Sequence, residues 1–412
     1  MEKVQNYAWP ITAVSKEDYT VILDCVRENK EKFEGKQILI FGAGIRGAEF
    51  SVVLEGEGYT NIVFTDNNKE KWGGVIDGYP IISVEEALNR RENVVYMISV
   101  EEGDSIRDQL LNAGLEENKD FYYPKADLYE RFTEEFRRPM KDEILVMGDC
   151  MFEVISFYDK NKDSLSEIMQ QQLGYENVKL LTMHGMGMPS FYHVLKGQLN
   201  CGYKPSVFVV MLNFETLTGK QHLLPRSQHT KLARMVSETA PDPDEELKRY
   251  AELTEERVKN VQAEFFTTNN MSSAKMSNNS KGKISDSASK VFFKLNYMYK
   301  LDTEMESIQY LREVLRMAKE KDFQVLPFVP PVNYQRGEEL FGSAFEQAYS
   351  HNLTALTEVV EEEGFHLLDL SHICTRELFA HASTPDETTN YEGRTLVAKK
   401  ICEELCRMEK NV

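Results

Sequence analysis

No apolar run in the 412 residues approaches the roughly 18 positions that a membrane-spanning helix needs. Basic residues are scarce: 48 Lys and Arg stand against 67 Asp and Glu, for a formal net charge of −19. Such a surface repels phosphate backbones and anionic lipid, which argues against nucleic acid and membrane surfaces as general partners. There is no CxxC pair. The six cysteines, Cys25, Cys150, Cys201, Cys374, Cys402 and Cys406, are too scattered for a disulfide framework. No HExxH, no His/Cys cluster at zinc spacing and no EF-hand loop occurs, so no metal is expected. The opening MEKVQNYAWP lacks the pattern of a signal peptide. These absences lead to the expectation of a cytoplasmic protein without membrane insertion; oligomeric state is not legible. What remains is ordinary: 42% apolar and 28% charged residues, enough to bury a sizeable core. At roughly 150 residues per domain, the length suggests two or three domains.

The pattern along the chain divides it. Residues 1–35 read as a polar lead-in and a helix, in which Tyr19, Ile22, Leu23 and Val26 recur at helical spacing behind the start signal Ser15-x-x-Asp18. Over 36–128, the apolar runs KQILIF, NIVFTDNN and NVVYMISV alternate with helical stretches, as in a parallel sheet with helical crossovers. The charged stretch 129–141, YERFTEEFRRPMK, reads as a linker helix or an exposed connection. The rhythm then restarts over 142–412 with EILVMG, a helix through about 158, VKLLTMH, a helix from Pro189, SVFVVML and QVLPFVP. A long helix over about 338–363, the run HLLDL and a terminal helix from about 394 complete it. The fold class expected is α/β, with two three-layer αβα domains. An insertion of about 213–300 interrupts the second, and its polar centre, 267–290, cannot bury enough surface to offset its ordering entropy. A mobile loop is expected there.

Gly42, Gly44 and Gly47 satisfy GxGxxG where a strand turns into a helix. Gly42 permits the turn, Gly44 lets a diphosphate approach the backbone, and Gly47 permits close packing of the helix. Asp66 ends the next strand, where a dinucleotide fold places its ribose-binding carboxylate. A nucleotide cofactor at this turn is one reading; glycines that only build the bend are the other. Residues 37–125, from FGAGIRG through FTDNNKEKWGG to DGYPIISVEEAL, resemble the small Rossmann-like modules attached to bacterial sugar-modifying enzymes and glycosyltransferases. Asp66-Asn67-Asn68 and Trp72 would line the nucleotide's edge.

Gly148-Asp149-Cys150 follows an apolar strand, a position from which a nucleophile is exposed at a helix start. Gly185-Met186-Gly187-Met188-Pro189-Ser190 follows the next strand, Leu212-Asn213-Phe214-Glu215 the one after, and Asp386-Glu387-Thr388-Thr389-Asn390-Tyr391-Glu392-Gly393 precedes the last helix. The order predicts convergence at one sheet edge, where open α/β sheets bind ligands. This succession resembles the SGNH (GDSL-type) hydrolase and O-acyltransferase family over residues 143–412, a flavodoxin-like fold. The resemblance puts Cys150 at the family's Ser nucleophile, Gly187 and Asn213 at its oxyanion donors, and Asp386 at the Asp of its final Asp-x-x-His. LPFVPPVNY (326–334) is typical of relatives that modify surface polysaccharides.

The departures from the family pattern are equally specific. Cys150 replaces serine, and Thr389 stands where the histidine is expected, or Thr388 where the register is set on Gly393. His184, at the end of its strand, and His381, five residues before Asp386, are the two imidazoles considered as substitutes, since chain order does not fix such geometry. His222 and His229, with Lys220, Arg226 and Lys231, form the one locally basic stretch, a place for a phosphate or uronate. Cys402 and Cys406 share a helix face and are expected in the core. Two functions compete: an esterase or O-acyltransferase acting on a carbohydrate or its activated precursor through Cys150, and an inactive SGNH-like glycan-binding or scaffold protein with a nucleotide-sensing module. Either takes a small-molecule or carbohydrate ligand.

Overall fold

The computed structural model describes residues 13–217, 227–252, 286–380 and 388–410. The chain is α/β and separates into two compact units, the first running to Ala126 and the second built mainly from Asp127 onward.

In the first unit Ser15 caps helix α1 (Lys16–Glu28), its hydroxyl accepting the Asp18 amide at 3.1 Å. Strands β1 (Gln37–Phe41), β2 (Ile62–Thr65), β3 (Val75–Ile76), β4 (Tyr79–Ile82), β5 (Val94–Ile98) and β6 (Phe121–Tyr122) form one sheet in the order β3-β4-β2-β1-β5-β6. Every pair is parallel except β3 with β4. Alternation explains the apolar runs. Ile38 and Ile40 pack into one cluster with Phe64 and Met97, while Leu39 and Phe41 pack into another with Val63 and Tyr96. A strand covered on both faces has no polar side to show. The crossover helices are α2 (Ile45–Gly56), α3 (Val84–Asn89) and α4 (Asp104–Asn112).

The second unit opens with α5 (Leu128–Arg137), the segment expected to be a linker helix or an exposed connection. It is an amphipathic helix whose Phe132 and Phe136, one turn apart, are buried in that unit's larger core cluster. Strands β7 (Ile144–Gly148), β8 (Val178–Thr182), β9 (Val207–Met211), β10 (Gln324–Val329) and β11 (Leu368–Asp369) are all parallel, in the order β8-β7-β9-β10-β11. Numbered within the unit, that order is 2-1-3-4-5, the flavodoxin-like arrangement, with its switch point between β7 and β9. Both faces are covered. Leu145, Met147, Phe208 and Val210 face the core formed with α7 (Met188–Asn200) and α11 (Glu306–Lys321). Val146, Val209 and Phe328 face the core formed with α6 (Leu165–Leu173) and α14 (Tyr391–Lys410).

Several local expectations change. After β7 there is no helix to residue 158: a single 3-10 turn, Cys150–Phe152, gives way to the extended segment Val154–Ser156. The long helix over 338–363 is two helices, α12 (Tyr334–Phe341) and α13 (Ser343–Glu362), broken where Gly342 takes φ +59°. The insertion holds helices α8 (Ser227–Thr239), α9 (Glu245–Ala251) and α10 (Asp286–Asn296). Leu232, Val236, Leu247 and Tyr250 pack into the larger core, and so does Phe293. Residues 267–285, most of the expected mobile loop, lie outside the described residues. On α14 the core stripe is Val397, Ala398, Ile401 and Leu405. Cys402 is half-buried and Cys406 exposed, so the expected packing of that pair in the core does not hold. Among the described residues, no helix is long and apolar enough to cross a membrane.

Candidate functional site

The glycine turn of the first unit is tightly built. Gly42 has φ +126°, a conformation that disfavours any side chain, and a Cβ on Gly47 would lie 2.0 Å from the Gly42 carbonyl oxygen. Gly44 is the N-cap of α2 in extended backbone. Asp66 sits at the end of β2, but its carboxylate is engaged within the protein. It accepts the Ala43 amide at 2.8 Å and Lys71 Nζ at 2.7 Å through Oδ2, and the Asn68 amide at 2.8 Å through Oδ1. Trp72 donates its indole N–H to the Asp66 carbonyl at 2.7 Å, and Asn67 donates to Gln109 at 3.2 Å. Asp66 therefore clasps the turn to the end of β2, while Asn67 reaches α4 and Trp72 the backbone of Asp66. What the turn offers an anion is the first amides of α2, which no helix satisfies internally.

At the switch point of the second unit, three successive strands deliver the remaining residues. Thr182 of β8 is in register with Gly148 of β7. Cys150 and His184 each lie two residues beyond that pair, on chains that leave adjacent strands roughly 4.8 Å apart. Both side chains are half-buried. A Cβ on Gly148 would lie 2.2 Å from the Phe152 ring, which would have to shift. Asp149, 4% exposed, caps the 3-10 turn: Oδ1 accepts the Met151 amide at 2.9 Å, and Oδ2 accepts Asn213 Nδ2 at 3.0 Å. Asn213, buried just past β9, accepts the Glu215 amide at 2.8 Å through Oδ1. Its Nδ2 carries two hydrogens, so one remains to donate beyond Asp149. Gly187 is the N-cap of α7, with Pro189 in the first turn. Cys150, His184, Gly187 and Asn213 thus share the C-terminal edge of one sheet.

The helix start expected at Cys150 is one 3-10 turn capped by its own Asp149, which carries little of a macrodipole. Four other thiols make poor nucleophiles at neutral pH. Burial pushes Cys25 and Cys374 up to about 12 and Cys402 up to about 11, and it raises Cys201 as well. His381 and Asp386 lie outside the described residues, as do His222, Lys220 and Arg226. The chain either side of 381–387 is pinned by an antiparallel bridge between Phe379 and Thr389, with the Ala380 amide donating to the Thr388 carbonyl at 2.9 Å. Thr389 itself is 1% exposed, and its Oγ1 has no hydrogen-bond partner among the described residues. Arg394, fully buried in the first turn of α14, bonds the Thr389 carbonyl at 2.6 Å and Asp159 at 2.8 Å. Desolvation holds its pKa below the usual arginine value, with Asp159 opposing that shift.

Sequence reasoning missed Glu153. It closes the 3-10 turn that begins at Cys150, and it is 4% exposed. Its Oε1 accepts Ser166 Oγ at 2.8 Å and Thr182 Oγ1, and its Oε2 accepts Arg131 at 3.0 Å. The signal was a lone carboxylate in the apolar run CMFEVISF, since a buried charge needs partners.

Residues 34–121 match the family model described as C2185-like, N-terminal, which spans the first unit's sheet and leaves the switch-point site outside it. No curated protein matches the chain.

Proposed function

We propose that the second unit catalyses acyl transfer, as an esterase or O-acyltransferase on a carbohydrate or its activated precursor, with Cys150 as nucleophile. The observation that carries this reading is the delivery of Cys150, His184, Gly187 and Asn213 by three adjacent strands to one switch point. His184 takes the thiol proton and the sulfur attacks the ester carbonyl. The Asn213 amide and the Gly187 N–H stabilise the oxyanion, which is where preorganised donors act most strongly. The intermediate collapses to a thioester as the leaving alkoxide takes the proton from His184. Water or an acceptor hydroxyl then attacks the thioester, and the thiol is regenerated. The carbohydrate assignment rests on the resemblance of the 326–334 segment, which here forms β10 and the approach to α12.

The test is a pre-steady-state burst with p-nitrophenyl acetate. Wild-type protein gives a burst that Cys150→Ala abolishes. No burst, together with a Cys150 inert to iodoacetamide near neutral pH, overturns the covalent enzyme. One observation favours a non-catalytic binding protein instead: Thr389, which the resemblance sets at the histidine position, is a buried hydroxyl, and Asp149 holds the Asn213 amide. A nucleotide at the Gly42–Gly47 turn is tested by thermal shift against NAD, NADP, S-adenosylmethionine and UDP-sugars. Flat melting curves across that panel leave the turn a structural bend.

A further inference from the structure

The Cys150 turn is joined to the strand end that carries His184 through one buried side chain. Glu153 follows Cys150 by three residues in a 3-10 turn, its amide bonded to the Cys150 carbonyl at 3.0 Å. Positions i and i+3 of such a turn eclipse, so Cys150 and Glu153 leave it on the same side. From there the Glu153 carboxylate gathers donors from three elements. Thr182 Oγ1 belongs to the last residue of β8, two before His184. Ser166 Oγ belongs to the first turn of α6 and Arg131 to α5. Arg131 also donates to the Thr182 carbonyl at 3.3 Å, so guanidinium and carboxylate hold that residue by its backbone and its side chain together. Thr182 is 1% exposed and Ser166 4%, which leaves little room for any partner to re-form its bonds elsewhere. Asp149, beside Cys150 in the turn, accepts from Asn213 Nδ2 and the Met151 amide.

We infer that Glu153 is a positioning residue, which fixes the Cys150 turn against the end of β8 and so sets the approach of His184 to the thiol. This rests on the acyl-transfer reading for its purpose, but its test reads thiol reactivity rather than turnover. A group that ionises a thiol must be held within hydrogen-bond reach, and loosening the frame weakens that coupling without removing either partner.

The experiment is the pH profile of iodoacetamide alkylation, read at the Cys150 peptide by mass spectrometry, for the full chain and for His184→Gln, Glu153→Ala, Glu153→Gln and Thr182→Val. The wild-type profile has its midpoint below the ordinary thiol value of about 8.5. His184→Gln raises it, and Glu153→Ala raises it similarly. Glu153→Gln retains an acceptor for the two hydroxyls but loses the charge facing Arg131, and it falls between. Each unit by which the midpoint rises slows alkylation at lower pH about tenfold. Thr182→Val removes a single oxygen at nearly constant volume, so it reads the same link should Glu153→Ala fail to fold. A profile that depends on His184 but survives both Glu153→Ala and Thr182→Val overturns the positioning role alone. A wild-type profile identical to that of His184→Gln contradicts the Cys–His pair itself, and the positioning role falls with it.

Discussion

Two glycine turns in this chain follow the same plan and end differently. Each leaves a buried parallel strand at the C-terminal edge of its sheet, and each has one carboxylate in command. In the first unit that carboxylate comes from the neighbouring strand: Asp66 reaches back to the Ala43 amide and is neutralised by Lys71. In the second it lies within the turn, where Asp149 caps its own short helix and reaches out to Asn213 on β9. The first arrangement closes the turn on itself and opens a helix of 12 residues. The second spends a single 3-10 turn, leaves a half-buried thiol at the switch point, and orients a side-chain amide beside it. A glycine fingerprint therefore reports a bend, and the nearby carboxylate sets how that bend is tied to the rest of its sheet.

The two turns differ most at their glycines. Gly47→Ala sets a methyl 2.0 Å from a backbone oxygen that cannot swing aside. It should cost on the order of 3 kcal/mol or more. Gly148→Ala meets the Phe152 ring instead, a side chain that shifts at the expense of its packing, and should cost about 1–3 kcal/mol. Urea unfolding of both variants checks the order, and equal losses would mean that the two turns are equally rigid. Next come the carboxylates. Asp149→Ala leaves the Met151 amide and Asn213 Nδ2 without acceptors in a buried setting, for about 2–4 kcal/mol. Asp66→Ala removes a group that is 16% exposed, where water can replace part of what is lost, for about 1–2 kcal/mol. An Asp66 variant as damaging as Asp149→Ala would contradict the contrast between a semi-exposed clasp and a buried one.

The smallest effect is in pH. Burial, reinforced by Asp18 and opposed by Arg46, raises Glu49 on α2 to about 7. The folded state then holds its proton where the unfolded state, near the ordinary 4.5, has released it. Stability contributed by protonated Glu49 is full below about 4.5 and is lost as pH rises toward 7. In the second unit, burial lowers Lys179 to about 8, although its ammonium donates to the Phe136 and Arg138 carbonyls and to Gln198. Here the unfolded state holds the extra proton, so stability rises with pH from about 8 toward the ordinary 10.5. Melting curves of Glu49→Gln and Lys179→Met against wild type check both signs. Wild type should lose ground to Glu49→Gln between pH 5 and 7 and gain on Lys179→Met above pH 8. Either trend reversed would refute the corresponding burial argument.

Much of this architecture was legible because parallel strands buried on both faces read as unbroken apolar runs, as QILIF and VFVVM do. The connections were harder. MFEVISF has enough apolar residues for a helix, yet β-branched Val154 and Ile155 and the Asp149 cap favour one turn and an extended exit. The charge on α5 hid a Phe132–Phe136 stripe that spacing alone could have revealed. The order of the blocks pointed to Cys150, Gly187 and Asn213, and the fold places them at one edge. The partners of Asp66 and Glu153 were not legible, because Lys71, Arg131, Ser166 and Thr182 meet those carboxylates only once the chain has folded.

Cys150 as nucleophile is tested most directly by quenching the reaction with p-nitrophenyl acetate within the first turnover and mapping the acyl group by peptide mass spectrometry. An acetyl adduct is expected on the Cys150 peptide, formed in step with one equivalent of p-nitrophenol and absent from His184→Gln at the same time point. A folded protein whose Cys150 stays unmodified, or whose adduct forms equally fast without His184, would contradict that expectation.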